Sequence, residues 1–146
     1  MAMKVREGVN VGIDVGKAQL DIHIHERKLH FSSPNTPENI RKLFARLSRY
    51  HLARIVVEAT GRREYELVAQ AADRDLPVVI ANPLNIRRFA GAAGILAKTD
   101  KVDAAVISLY AATMKPPVRP LASKDIRKIK DLMVRRRQLM EMSTME

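Results

Sequence analysis

Cysteine is absent from the 146 residues, so the chain forms no disulfide and offers no thiolate to a metal or a substrate. Tryptophan is absent too, and aromatic residues make up only 4% of the chain. That is too few rings for a stacking platform of the kind that holds single-stranded nucleic acid. Nowhere do about 18 apolar residues stand in a row, which excludes a membrane-spanning helix. The opening MAMKVREGVN has no apolar stretch of the signal-peptide type. A reducing cytoplasm is the expected location. Acids are few beside bases: 16 Asp and Glu against 26 Lys and Arg, a formal net charge of +10 and a pI near 10.3.

What is present is enough for one globular domain. Hydrophobic residues make up 47%, which argues against disorder, and the length supports a single buried core. An excess of positive charge points to a polyanionic partner, because each phosphate neutralised by Lys or Arg releases counterions.

Val9-Asn-Val-Gly-Ile-Asp14 alternates apolar with polar or small residues and stops at Val15-Gly16-Lys17, the pattern of a strand and turn. Leu20, Ile22 and Ile24 alternate with Asp21, His23 and His25 in a second strand; a third follows near Leu29 to Ser32. Tight turns between the three predict an antiparallel meander. Thr36-Pro37 caps a helix to about Tyr50, then Arg54-Ile-Val-Val-Glu58 is a short buried strand. A helix over Glu64–Arg74, a strand over Leu76–Ala81 and a short helix over Asn85–Phe89 complete a pattern of parallel crossovers. Another helix is expected over Asp100–Met114, then a proline-rich linker and a last helix capped by Ser123. Ile126, Ile129, Met133 and Met140 of that helix are spaced like a coiled-coil seam, interrupted at Arg136 and with no apparent partner in the chain. The layout is that of an α/β protein with an RNase H-like mixed five-stranded sheet flanked by helices, ending in an extended helix. We divide it into a domain over 1–115, a linker over 116–122 and the start of a coiled-coil helix over 123–146.

Asp14 and Glu58 end the first and fourth strands, on the edge where open α/β sheets bind ligands. Asp100 and Asp103 are three apart, which puts them on one face if both belong to a helix start. Two readings stay open at this point. The pair could be a helix cap, with Asp100 at the N-cap and Asp103 three residues on, and Asp14 a turn residue. Alternatively, four converging carboxylates would need cations between them, and such hard oxygen ligands suit Mg²⁺ or Mn²⁺. Two ions about 3.5–4 Å apart can drive phosphoryl transfer. Glu58 resists the simpler reading, since a carboxylate ending an Ile-Val-Val run needs a partner.

The segments VGIDVGKAQLDIHI, VVEATGRREYEL and ANPLNIRRFAGAAGILAKTDKVDAAVISLYA resemble, in order and spacing, the N-terminal catalytic domain of the insertion sequence 110 family of DEDD transposases, which includes the Piv-type DNA invertases. The resemblance runs from about Val11 to Ala112 and is most specific from Asn82-Pro83 through Arg88-Phe89 to Ala97-Lys-Thr-Asp-x-x-Asp-Ala104. It implies a fold similar to RuvC resolvase and a metal-binding catalytic tetrad of Asp14, Glu58, Asp100 and Asp103 holding two Mg²⁺ or Mn²⁺ ions. It implies DNA as substrate and a structured guide RNA as a further partner. Gly16 departs from the pattern, where a Ser often stands. Length departs more: family members carry a second domain with a serine that attacks DNA. The expectation is therefore a fragment holding half of a composite site, inactive alone in strand transfer.

Lys17, Arg62, Arg63, Arg87, Arg88, Lys98 and Lys101 would surround the acids and hold phosphates. Any one of them could equally be ordinary solvated surface, and Arg135-Arg136-Arg137 a nucleic-acid or solvent face. His23 and His25 share a strand face, which suits a metal pair only if a third ligand lies near. The last helix predicts a homodimer or higher oligomer. Two other functions compete. Gly12-Ile-Asp-Val-Gly16 resembles the first phosphate loop of sugar kinases and actin-like phosphotransferases, although that reading needs a second nucleotide-binding lobe. A non-catalytic nucleic-acid-binding module would leave the acids purely structural.

Overall fold

The computed structural model describes residues 8–60, 63–95, 102–120 and 123–144. Five strands, β1 (Val9–Val15), β2 (Gln19–Ile24), β3 (Leu29–Pro34), β4 (Leu52–Glu58) and β5 (Val78–Ala81), form one sheet in the order β3-β2-β1-β4-β5. β1, β2 and β3 pair antiparallel, while β4 and β5 continue the sheet in parallel. An antiparallel meander extended by two parallel strands in this order is the RNase H-like sheet that the sequence predicts.

Helices cover both faces, and the side-chain pattern decides which. β1 is the central strand, and its Val9, Val11, Ile13 and Val15 all point into one core with Leu20, Ile22 and Ile24 of β2. Helix α1 (Pro37–Leu47) closes that core with Ile40, Leu43, Phe44 and Leu47; the Thr36 hydroxyl caps it by accepting from the Asn39 N–H, and Pro37 fills its first turn. Helix α2 (Tyr65–Asp73) adds Leu67 and Ala71. The other face of the sheet belongs to α3 (Pro83–Ala92) and α4 (Ala104–Met114). Ile86, Ala90, Val106, Ile107, Tyr110 and Ala111 pack there against Val56 and Ala81. Phe89 and Tyr110 meet edge to face at 5.6 Å, joining the two helices.

α4 reaches the sheet because β1 carries a glycine beneath it. A Cβ at Gly12 would lie 2.3 Å from the Ser108 nitrogen and 2.5 Å from the Ala104 carbonyl oxygen, both backbone atoms that cannot swing aside. At the opposite end of α4, Asn10, Glu26 and Arg54 form a polar knot. Asn10 donates to Glu26 through its backbone N–H and its side-chain amide, both at 2.6 Å, while Arg54 donates to the Asn10 amide oxygen and to the Ala111 carbonyl. Partial burial on its own would raise the Glu26 pKa; the two bonds from Asn10 outweigh it and hold the carboxyl below its ordinary value.

Two elements differ from expectation. α4 begins at Ala104 rather than Asp100, because Asp103 caps it. The last helix, α5 (Ser123–Thr144), does find a partner within the chain: it packs on α2, with Ile126, Ile129 and Met133 half-buried and Lys130 bonded to Asp73 at 2.9 Å. Leu132, Val134, Leu139, Met140 and Met142 of the same helix stay exposed. No helix among the described residues is long and apolar enough to cross a membrane.

Two predictions follow from the packing around α4. Gly12→Ala should lower stability in urea unfolding by at least about 1–3 kcal/mol, since the new methyl must push α4 off the sheet; an unchanged midpoint would contradict this close approach. Because the folded-state pKa of Glu26 is lowered, its contribution is present above the ordinary value of about 4.3 and is lost as the pH falls through the folded value. Thermal melts of wild type and Glu26→Gln should therefore differ at neutral pH and converge on acidification.

Candidate functional site

The carboxylates gather at the C-terminal ends of the parallel strands. β1 and β4 pair in register with Ile13 opposite Val57, so Asp14 and Glu58 follow as neighbours, with adjacent strands about 4.8 Å apart. Alternation places both on the face that carries Gly12 and Val56, the face covered by α3 and α4. Both are half-buried. On the other side of Asp14, β2 brings Asp21 directly opposite. Three strands thus present three acids in a row at one level of the sheet.

Asp103 approaches from above. It is the N-cap of α4, its Oδ1 accepting from the Val106 N–H at 2.9 Å, which leaves Oδ2 for another partner. It is thus Asp103, and not Asp100, that caps this helix, a correction to the order expected from sequence. Its negative charge reaches His23 on β2, raising the affinity of that ring for a proton, while burial and the neighbouring His25 and His30 pull more strongly the other way and keep the His23 pKa below its ordinary value. The Ser108 hydroxyl donates to the Ala105 carbonyl at 2.9 Å and so accepts from His23 Nδ1 at 2.7 Å. This bond ties α4 to β2 one turn from Asp103. His23 is thereby committed to Ser108 through one nitrogen, and His25 has moved into a 3-10 turn beyond the strand, so the two do not form the metal pair that their alternation suggested.

Asp100 lies outside the described residues, as do Arg62, Lys98 and Lys101. The oxygen-only donors Asp14, Glu58 and Asp103 suit a hard divalent cation. Among the described residues, however, no three of His, Asp and Glu converge closely enough to hold a metal ion. The three acids share an edge without closing a cage.

Several residues that sequence reasoning passed over shape this edge. Asp21 accepts from Ser32 Oγ of β3 at 2.7 Å and from Gln19 Nε2 of its own strand at 3.1 Å. Only the strand register reveals that it faces Asp14. Glu64, buried at 4% exposure, accepts from the Thr60 hydroxyl and folds the loop leaving Glu58; the Thr60 hydroxyl also accepts from the Arg63 N–H at 3.2 Å. Its neighbours Arg62, Arg63, Tyr65 and Glu66 gave no signal of burial in the sequence. The turn after Asp14 closes through Gly16 N–H to the Gln19 carbonyl at 2.9 Å, and Asn35 donates to the Gly16 carbonyl at 2.7 Å. A Cβ at Gly16 would lie 2.7 Å from the Gln19 oxygen, so the turn as it stands leaves no room for a side chain there.

The cations divide into two groups. Lys17 and Arg63, on the loops after Asp14 and Glu58, line one cleft together with residues of α5. Arg87 and Arg88 are exposed on α3, on the other side of the sheet. The kinase-like reading of Gly12–Gly16 fails on packing: the backbone of α4 fills the space over Gly12 that a phosphate would need.

A transposase family model, of the DEDD type of insertion sequence 110, matches residues 11–146. The pilin gene-inverting protein of Moraxella bovis is 29% identical over 124 residues, which is 80% of this chain and 38% of that protein. The pilin gene-inverting protein of Moraxella lacunata matches to the same extent. The chain therefore corresponds to well under half the length of these curated relatives. Among solved structures, T. thermophilus RuvC in complex with Holliday junction substrate is similar over 79% of this chain and 100% of that one, with a TM-score of 0.49 and 17% identity. Matched by the family model over nearly its whole length, with Asp14, Glu58 and Asp103 all inside the match, this chain belongs to the insertion sequence 110 family of DEDD transposases.

Proposed function

We propose that the chain is the metal-binding part of an active site that cuts and joins DNA phosphodiester bonds during transposition or site-specific inversion. The observation that carries the reading is the arrangement of Asp14 and Glu58 side by side on adjacent strand ends, with Asp103 capping α4 above the same face. With Asp100, these acids would hold one or two Mg²⁺ or Mn²⁺ ions. Such ions, when bound, supply charge that activates an attacking oxygen and stabilises the leaving one.

The chain's own residues have distinct tasks in this scheme. Asp14 and Glu58, fixed by the sheet, set the position of the cation. Asp103 keeps one oxygen on the α4 backbone and offers the other. Lys17, Arg63, Arg87 and Arg88, with Arg62, Lys98 and Lys101, would hold phosphates on either side of the cut. The reaction is completed, in this reading, by a serine from a second domain of the kind the family carries, so these 146 residues alone would not transfer strands. The exposed Leu139, Met140 and Met142 of α5 would join two copies, and a structured RNA is a further polyanion for the basic surface.

A second reading, a basic nucleic-acid-binding module with structural acids, is favoured by the failure of three described acids to converge as a ligand set. Metal-dependent stability separates the two. Mn²⁺ at about 100 times its dissociation constant should stabilise the wild type by about 2.7 kcal/mol, read as a rise in melting temperature. Asp14→Asn and Glu58→Gln should abolish most of that rise while leaving DNA binding in EDTA intact. An equal rise in the variants, or none in the wild type, would favour the binding module.

A further inference from the structure

α5 does more than cover α2. Leu132, Arg135, Arg136 and Leu139 recur at intervals of three, one and three residues, which puts them on a single stripe of the helix. That stripe faces Lys17, Arg63 and Tyr65 across a cleft of about 830 Å³. The helix is held in place beside the cleft by Lys130, whose ammonium bonds Asp73 of α2 at 2.9 Å. Lys130 thus serves as an anchor, while Arg135 and Arg136, one to two turns on, are exposed along the cleft wall.

Charge and position identify the occupant. Four cations line the cleft and one carboxylate, Glu66, which is engaged by Gln70 at 3.0 Å. Lys17 stands three residues after Asp14, and Arg63 five after Glu58, so the inner wall of the cleft is built from the same two loops that leave the acid-bearing strand ends. Tyr65, Leu132 and Leu139 give the walls an apolar component, which suits sugars and base edges between phosphates. A small anion would use one or two of these cations; an extended polyanion can use all four at once.

We propose that this cleft is a track for a DNA sugar–phosphate backbone, with α5 as its outer wall and Arg135 and Arg136 as its outer phosphate contacts. The proposal rests on the DNA-processing reading above, and it assigns a path along which the strand reaches the acids. It also gives the arginine that interrupts the apolar seam of α5 a purpose, because Arg136 lines the cleft.

The test uses the whole chain in EDTA, with fluorescence anisotropy of a labelled DNA duplex, the matching RNA duplex and a DNA single strand, each across a salt series. The double variant R135Q/R136Q should weaken binding at least about tenfold at moderate salt and reduce the slope of log affinity against log salt by about 2. Arg137→Gln, with the same loss of charge per residue on the same helix but outside the cleft, should change affinity less than about twofold. Lys17→Gln should weaken binding of the same probes as R135Q/R136Q. The loss in R135Q/R136Q should be seen with DNA, and a loss confined to the RNA duplex would overturn the assignment to DNA. Equal losses for Arg137→Gln and Arg136→Gln would overturn the proposal in favour of general charge attraction, and equal competition by poly-glutamate at the same charge concentration would overturn it in favour of an acidic protein. Metal-induced stabilisation should be unchanged in R135Q/R136Q, so failure of the cleft and failure of the metal site read out separately.

Discussion

The close approach of α4 to the central strand is the constraint on which the working edge of this domain depends. Gly12 offers no side chain, and the backbone of α4 occupies the space instead. That contact fixes how far the N-terminus of α4 stands above the strand ends, and so fixes where Asp103 can be. The His23–Ser108 bond and the Phe89–Tyr110 contact hold the same helix from two further directions. At its other end, Arg54 reaches the Ala111 carbonyl from the Asn10–Glu26 knot. A helix secured at so many points is a rigid mount for an acid, and rigidity is what a cation site or a strand-cleaving centre requires.

Electrostatics then explains the distribution of charge around that edge. A chain of net charge +10 places Asp14, Asp21 and Glu58 side by side over three strands. Asp21 bonds Ser32 of β3 and Gln19 of its own strand, while Asp103 is bonded to the start of α4. Lys17 and Arg63 lie on the loops that follow Asp14 and Glu58 and line a cleft with α5. In the proposed function, the basic surface and the acidic edge would handle the same polyanion.

Much of the fold was legible because its signals were periodic. Alternation in β2, the Thr36-Pro37 cap of α1 and the apolar run of β4 each fixed an element on local grounds, and the sheet order followed from their sequence. Contacts between distant residues were harder to read. The pairing of Asp14 with Asp21 depends on a register set by the turn at Gly16. The bonds joining Asn10, Glu26 and Arg54 link three elements whose residues look unremarkable in isolation. The choice of Asp103 as cap is a matter of where α4 meets the sheet, since either aspartate satisfies the local rule. The seam of α5 was visible, but its first half finds α2 because Lys130 meets Asp73, a contact between residues far apart in the chain. The positions of Asp14 and Glu58 at strand ends were legible from the apolar runs before them, and the cleft lined by Lys17, Arg63 and α5 was not, because its walls come from distant parts of the chain.

The most direct test is to soak crystals of the chain in Mn²⁺ and collect anomalous diffraction. A peak lying between the carboxylates of Asp14 and Glu58, within reach of Asp103, is the predicted result. Carboxylates turned away from one another, with no anomalous peak at that strand edge in saturating Mn²⁺, would contradict a metal-binding role for this site.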